Sequence, residues 1–148
     1  MLVCVILKYS GVVVEKVVNL INFGSELKPD VISCIEADHS ISIDQIMIRA
    51  SLNLKKHSSY IQVHDIIKEN MDKFNGDFFI INLPGLPIYA AFVVTEIHAL
   101  TGKFPIIVEC CKNFASEGMF TEFKYKRLYD CDRERTQSRE DFRCGGCK

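Results

Sequence analysis

The chain alternates between short, nearly unbroken apolar runs and longer stretches in which apolar residues return every three or four positions. VVNLINF (17–23) is of the first kind and rich in β-branched residues, which predicts a buried strand. A turn at Gly24 and Ser25 follows. DVISCIEADHS then carries Val31, Ile32 and Ile35 at helical spacing, with Asp30 placed to cap the helix. SIDQIMIRASLNL (42–54) alternates, with Ile43, Ile46 and Ile48 joining Ile41 among polar neighbours, and predicts a second strand. In SSYIQVHDIIKENMDKF (58–74) the positions of Ile61, Ile66, Ile67, Met71 and Phe74 predict an amphipathic helix that Asn75-Gly76 would end.

DFFIINL (77–83) reads as a third strand, apolar on both faces, and FPIIVECC (104–111) as a fourth. Between them LPIYAAFVVTEIHALTG (86–102) predicts a helix closed by Gly102, apolar nearly all round until Glu96 and His98 and so expected to be well buried. MFTEFKYKRLYD alternates imperfectly and predicts an edge strand, and DRERTQSREDFR a charged helix or tail. Apolar strands alternating with helices predict an α/β fold: a small Rossmann-like domain over 17–143, its mostly parallel sheet covered by helices on both faces and carrying an antiparallel edge strand. Residues 1–16 fit none of these units and read as an N-terminal extension, and 144–148 as a tail.

Composition narrows the function classes. The 148 residues suffice for one domain with a core, and 48% hydrophobic with 25% charged residues is ordinary for a globular protein. A net charge of -1 supplies no global field for long nucleic acid, so an anionic ligand must be held locally. Apolar runs such as Leu2–Leu7 are too short for a membrane span, and the start lacks the charged segment and cleavage site of a signal peptide, which predicts a cytoplasmic protein. The seven cysteines (Cys4, Cys34, Cys110, Cys111, Cys131, Cys144, Cys147) have no disulfide-framework spacing. CGGC is the one paired-ligand spacing and lacks the second pair that zinc needs, so no metal is expected.

In open α/β sheets ligands bind beyond the carboxyl ends of the strands. Two such ends stand out: Asn22-Phe23-Gly24-Ser25, and Asn82-Leu83-Pro84-Gly85-Leu86. Glycine lets backbone approach a ligand closely, and the helix N-termini that follow offer N–H groups and a partial positive charge. Pro84 ends the strand and Pro87 stands near the first helical position. The plainer reading of Pro-Gly is a tight strand-to-helix turn with no ligand. Neither a Walker loop nor a dinucleotide glycine fingerprint is present, so no nucleotide cofactor is expected. His98, beside Glu96, reads as a helix residue before it reads as a general base. The arginines from Arg127 to Arg143 alternate with acids, as a solvated face does, with a phosphate clamp as the rival reading.

NLPGLPIYAAFVVTEIHALTGKFPIIVE (82–109) resembles a strand–PGL–apolar helix–ExH–GxFP–strand block of the CRISPR-associated Csx-fifteen family, small ancillary proteins of type III CRISPR systems related to ring nucleases. The resemblance extends to Asn22, Phe23 and Ser25 near the start and to Arg133 and Arg139 after the edge strand. It spans roughly 17–143, and residues 1–16 and the CGGC tail have no counterpart in it. What the resemblance implies is a homodimer, open to ligand-bridged assembly, that binds a cyclic oligoadenylate, foremost cyclic tetra-adenylate, and lowers its free level in antiviral defence. Asn22, Phe23, Gly24, Ser25, Asn82, Leu83, Pro84, Gly85 and Leu86 would form the pocket, Arg133 and Arg139 would meet phosphates, and Phe23 or Tyr89 would stack on adenine. The alternative is a ring nuclease that aligns a 2′-hydroxyl on its own phosphate without metal, with Ser25 or His98 as candidate catalytic groups. A third reading is a scaffold whose apolar central helix packs copies together and binds nothing small.

Overall fold

A computed structural model describes residues 16–48, 59–74, 78–114 and 120–145. Its elements follow the alternation above: β1 (Val17–Asn22), α1 (Pro29–His39), β2 (Ser42–Met47), α2 (Ser59–Glu69), a 3-10 turn (Met71–Phe74), β3 (Ile80–Asn82), α3 (Pro87–Thr101), β4 (Ile106–Phe114), β5 (Phe120–Asp130) and α4 (Cys131–Gly145). The five strands form one sheet in the order β2-β1-β3-β4-β5. All neighbours are parallel except β4 and β5, which pair antiparallel with irregularities after Glu109 and Asn113. This is the Rossmann-like α/β architecture that the sequence predicts, with β5 as its antiparallel edge.

The chain leaves β1 for β2 on one side, then crosses back over β1 to β3 on the other. Right-handed crossovers therefore place α1 on one face of the sheet and α2 with α3 on the other. The core divides accordingly. Val18, Leu20, Ile80 and Val108 meet Val31 and Ile35 of α1, while Ile21 and Ile81 meet Val63 and Ile67 of α2 and Tyr89, Val93 and Ile97 of α3. Consecutive residues of β1 and of β3 thus bury opposite faces, which is why these strands are apolar without alternation. On the α1 face Tyr125 of β5 reaches His39 (3.1 Å) and Asp38 (3.3 Å), and burial with the nearby Asp38 pushes the phenol up to about 12.

Several expectations are corrected. Lys28, not Asp30, is the N-cap of α1; Pro29 takes the first helical position, so Asp30 lies inside the first turn. In α2 the buried face is Val63 and Ile67, and Ile61 is 53% exposed. α2 ends at Glu69, and Met71–Phe74 forms the separate 3-10 turn, so the expected Asn75-Gly76 stop lies outside the described residues. α3 is not buried all round: Ile88 and Leu100 are exposed. Its C-terminus matches expectation, with Gly102 in the left-handed region (φ 72°) donating its N–H to the His98 carbonyl. The charged C-terminal segment is helical and takes in Cys144, while residues 1–15 of the extension and 146–148 of the tail lie outside the described residues. Among the described residues no helix is long and apolar enough to cross a membrane.

Candidate functional site

The crossover between β2 and β3 makes the gap between β1 and β3 the topological switch point, and the loops leaving their carboxyl ends lead to helices on opposite faces of the sheet. Asn22 and Asn82 end these strands in the same register. Asn22 is fully buried, and its side chain is saturated. Its Nδ2 donates to the Ser25 carbonyl (2.9 Å) and to Gln45 Oε1 (2.8 Å), and its Oδ1 accepts from the Gly24 N–H (2.8 Å) and from Asn82 Nδ2 (2.9 Å). Two donors and two lone pairs are all that an amide side chain has. Asn22 therefore builds the loop rather than touching a ligand.

Gln45 of β2 completes the network by accepting from the Leu27 N–H (2.9 Å) and donating to the Leu27 carbonyl (3.3 Å). The strand ladder also runs on past the element ends, with the Phe23 N–H on the Asn82 carbonyl (3.0 Å) and the Ile48 N–H on the Asn22 carbonyl (2.9 Å). Loop 22–27 is thus tied to both neighbouring strands. Gly24 sits where the two strand-end loops press together, and a Cβ there would stand 2.7 Å from the Leu83 carbonyl oxygen. Its smallness serves the approach of loop to loop, not of loop to ligand.

The second loop is built differently. A Cβ at Gly85 would meet no heavy atom within 4 Å, and Gly85, Leu86, Pro87 and Ile88 are all exposed. The helix that follows starts at an extended N-cap, Leu86 (φ -89°, ψ 123°), with no side-chain hydrogen bond capping it and no acid in its first turn. α1, by contrast, carries Asp30 in its first turn, a carboxylate already placed against the helix dipole. Of the two helix starts, α3 is the one open to an anion. Ser25 is exposed, and so is Lys28 at the start of α1, whose ammonium is 3.8 Å from Glu122 of β5.

Comparisons with family models, with curated proteins and with solved structures return no match.

The structure gathers Asn22, Phe23, Gly24, Ser25, Asn82, Leu83, Pro84, Gly85 and Leu86 at one end of the sheet. It does not bring the remaining candidates to them within one chain. Arg133 lies in the first turn of α4, which starts at Cys131 directly after Asp130; Asp130 pairs with Ile106 at the start of β4, so Arg133 lies at the opposite end of the sheet. Arg139 is exposed further along α4. His98 lies near the far end of α3, its ring stacked on Phe104 (3.9 Å, 7°), and Arg135 covers Phe104 as well (5.1 Å). The His98 Nδ1 is buried there without a hydrogen-bond partner. Tyr89 is 3% exposed and belongs to the core, so it offers no stacking platform. Phe23 is half-buried, in contact with Phe74 (6.5 Å).

Two groups escaped the sequence reading. Gln45 is one; its signal was a long polar side chain in the second half of a β-strand beside the switch point. The other is a cluster around Glu96, which was read as a neighbour of His98 on the same helix. Its carboxylate points instead to α2, accepting from His64 Nδ1 (2.8 Å) and from the Tyr60 hydroxyl. Burial would raise this carboxyl, but the Tyr60 and His64 hydrogen bonds outweigh it and hold Glu96 below its ordinary value. The same bond raises Tyr60, because ionised phenol would face a carboxylate. Among the described residues no three metal-binding side chains converge.

Proposed function

We propose that the protein captures a cyclic oligoadenylate, cyclic tetra-adenylate foremost, in the cradle between the β1 and β3 loops, and so lowers the free level of that second messenger. The observation that carries this reading is the contrast between the two loops. One is locked by the Asn22–Asn82–Gln45 network, while beside it Gly85 and the uncapped start of α3 stand open. A rigid wall next to bare backbone suits a phosphodiester, which binds N–H donors at a helix start without needing a charged side chain. The likeness of 82–109 to the Csx-fifteen block supplies the class of ligand. A ring of identical nucleotides fits a twofold pair of such cradles, because each half of the ring meets the same donors. Phe23, half-buried at the rim, is the adenine-stacking candidate.

Capture is favoured over cleavage by the position of His98. Its imidazole is stacked away from the cradle, with Nδ1 buried, which leaves Ser25 as the one expected catalytic candidate at the site. The test is to mix labelled cyclic tetra-adenylate with excess protein, separate the complex, and extract it with denaturant. Intact ring recovered from the protein fraction is the expected result. Linear fragments would assign a ring nuclease instead, and label that never joins the protein would remove both readings.

A further inference from the structure

We infer that His64 is a phosphoryl-accepting histidine, positioned by Glu96 and assisted by Lys68. Glu96 of α3 is 2% exposed, and its carboxylate meets His64 Nδ1 of α2 at 2.8 Å. A carboxyl held below its ordinary value is ionised at neutral pH and can only accept, so Nδ1 carries the hydrogen. Neutral His64 therefore keeps its lone pair on Nε2. That nitrogen has no hydrogen-bond partner among the described residues, and it is not buried. The side chain is 39% exposed, so the ring presents a nucleophilic nitrogen to solvent from the seam between two helices. Tyr60, one turn earlier in α2, donates to the same carboxylate and completes its support. A buried carboxylate costs free energy that an apolar residue at this seam would not, and what it secures is one tautomer in one orientation.

The surroundings of Nε2 select the chemistry. A histidine backed by a carboxylate is half of a nucleophilic triad, but among the described residues no serine, threonine or cysteine bonds Nε2 to supply the other half. The ring is then itself the nucleophile. Lys68 stands one turn after His64 on α2, exposed and without an ion pair among the described residues. An ammonium at that spacing suits the negative charge that a phosphoryl group brings. The donor is of the N-phosphoryl class. Its nitrogen is already protonated and leaves as a neutral amine, so the acceptor needs no general acid beside Nε2. The Nε2 lone pair forms the new N–P bond as the donor's N–P bond breaks, and the donor nitrogen leaves with that electron pair; from phosphoramidate it leaves as ammonia. The ring keeps its Nδ1 hydrogen and becomes a phosphorylated imidazolium, whose positive charge Glu96 stabilises. Glu96 lies roughly 13 Å along α3 from the open helix start at Pro87. The site is therefore separate from the cradle and independent of its ligand.

The test uses no cyclic nucleotide. The full chain, native and unfolded in urea, is incubated with phosphoramidate, and phosphorylation of each histidine is followed by mass spectrometry of peptides kept at alkaline pH. His64 should gain the group at least about tenfold faster in the native chain than in the unfolded one, the rate change that a hydrogen bond to a charged partner supplies. Glu96→Gln keeps an acceptor but removes the charge, and should slow His64 by about tenfold while His39 in the same molecules reacts as before. Lys68→Ala changes an exposed position and should slow His64 roughly twofold to fivefold, which keeps the test decisive if Glu96→Gln unfolds. Nitrogen chemical shifts of the neutral His64 ring should show the hydrogen on Nδ1. Native His64 reacting no faster than in urea, a rate indifferent to both variants, or a hydrogen on Nε2 overturns the inference. An equal loss at His39 and His64 in Glu96→Gln would make Glu96 a structural residue and overturn its positioning role.

Discussion

Asn22 and Asn82 end adjacent parallel strands in the same register, and Asn82 Nδ2 donates to Asn22 Oδ1 at 2.9 Å. The bond lies at the switch point of the sheet, where the chain departs in two directions and where open α/β sheets bind their ligands. It fixes how far apart the two loops stand. Both asparagines also donate to the Ser25 carbonyl, at 2.9 and 3.2 Å, so one residue of the first loop is held from both strands.

Asn22→Ala should therefore cost more than its small volume suggests. It strands the Gly24 N–H beside a fully buried position and takes one of their partners from the Ser25 carbonyl and from the Asn82 and Gln45 amides. Unpaired buried polar groups cost about 1–3 kcal/mol each where water cannot reach them. Partial relaxation brings the expected loss to about 2–3 kcal/mol in urea unfolding, with unchanged slope. Asn82→Ala, at a half-buried position, should cost about 1 kcal/mol. Equal effects would mean that the network is not centred on Asn22.

The two loop glycines should behave in opposite ways. Gly24→Ala forces a Cβ to within 2.7 Å of a backbone oxygen, which should destabilise the fold by about 1–3 kcal/mol. Gly85→Ala meets open space and should leave stability within about 0.5 kcal/mol of wild type. Thermal unfolding of the two variants side by side checks both. A Gly85→Ala variant as unstable as Gly24→Ala would mean that the Pro84–Leu86 elbow is packed rather than open.

This difference shows what the sequence could and could not convey. Both glycines follow strand ends, and both read equally as ligand-approach positions. Only the distance across two loops separates them, and that distance is set by a contact of about sixty residues' sequence separation. The strands and helices were legible because periodicity is a local property. Asn22 was legible as a site residue but not as a saturated one, since its partners Gln45 and Asn82 come from different strands. Ile61 fell on the expected inner face because the spacing was anchored on Ile66 and Ile67, whereas Val63 and Ile67 define the buried direction. Glu96 and His98 looked like a pair two residues apart. On a helix, such residues point away from one another, and Glu96 found His64 on α2 instead.

Glu96 should make stability pH-dependent on the acid side. Its folded carboxyl lies below its ordinary value of 4.5, so the unfolded chain binds the proton more readily. Its contribution is full above 4.5 and is lost as pH falls through the folded value. Tyr60 has the opposite sign: raised above 10.0 when folded, it contributes fully below 10.0 and loses that contribution as pH rises through the folded value. Urea midpoints from pH 3 to 7 should fall on the acid side in wild type and fall less in Glu96→Gln. Parallel curves would show that Glu96 is not held below its ordinary value.

His98→Ala should lower stability by removing the stack on Phe104, yet leave ligand affinity unchanged, because the ring lies at the far end of α3. Calorimetric titration with cyclic tetra-adenylate separates the two effects. A tenfold loss of affinity at retained fold would place His98 in the site, by way of a neighbouring copy.

The most direct measurement is the melting temperature of the wild-type protein with cyclic tetra-adenylate, with linear tetra-adenylate as control, repeated for Gly85→Glu. Ring at about 100 times its dissociation constant should stabilise the wild type by about 2.7 kcal/mol, visible as a rise of several degrees. Gly85→Glu, which sets a carboxylate at the open start of α3, should abolish the rise while melting near the wild-type temperature alone. No rise with rings of any size, or an equal rise in Gly85→Glu, would contradict a phosphate-binding cradle between β1 and β3.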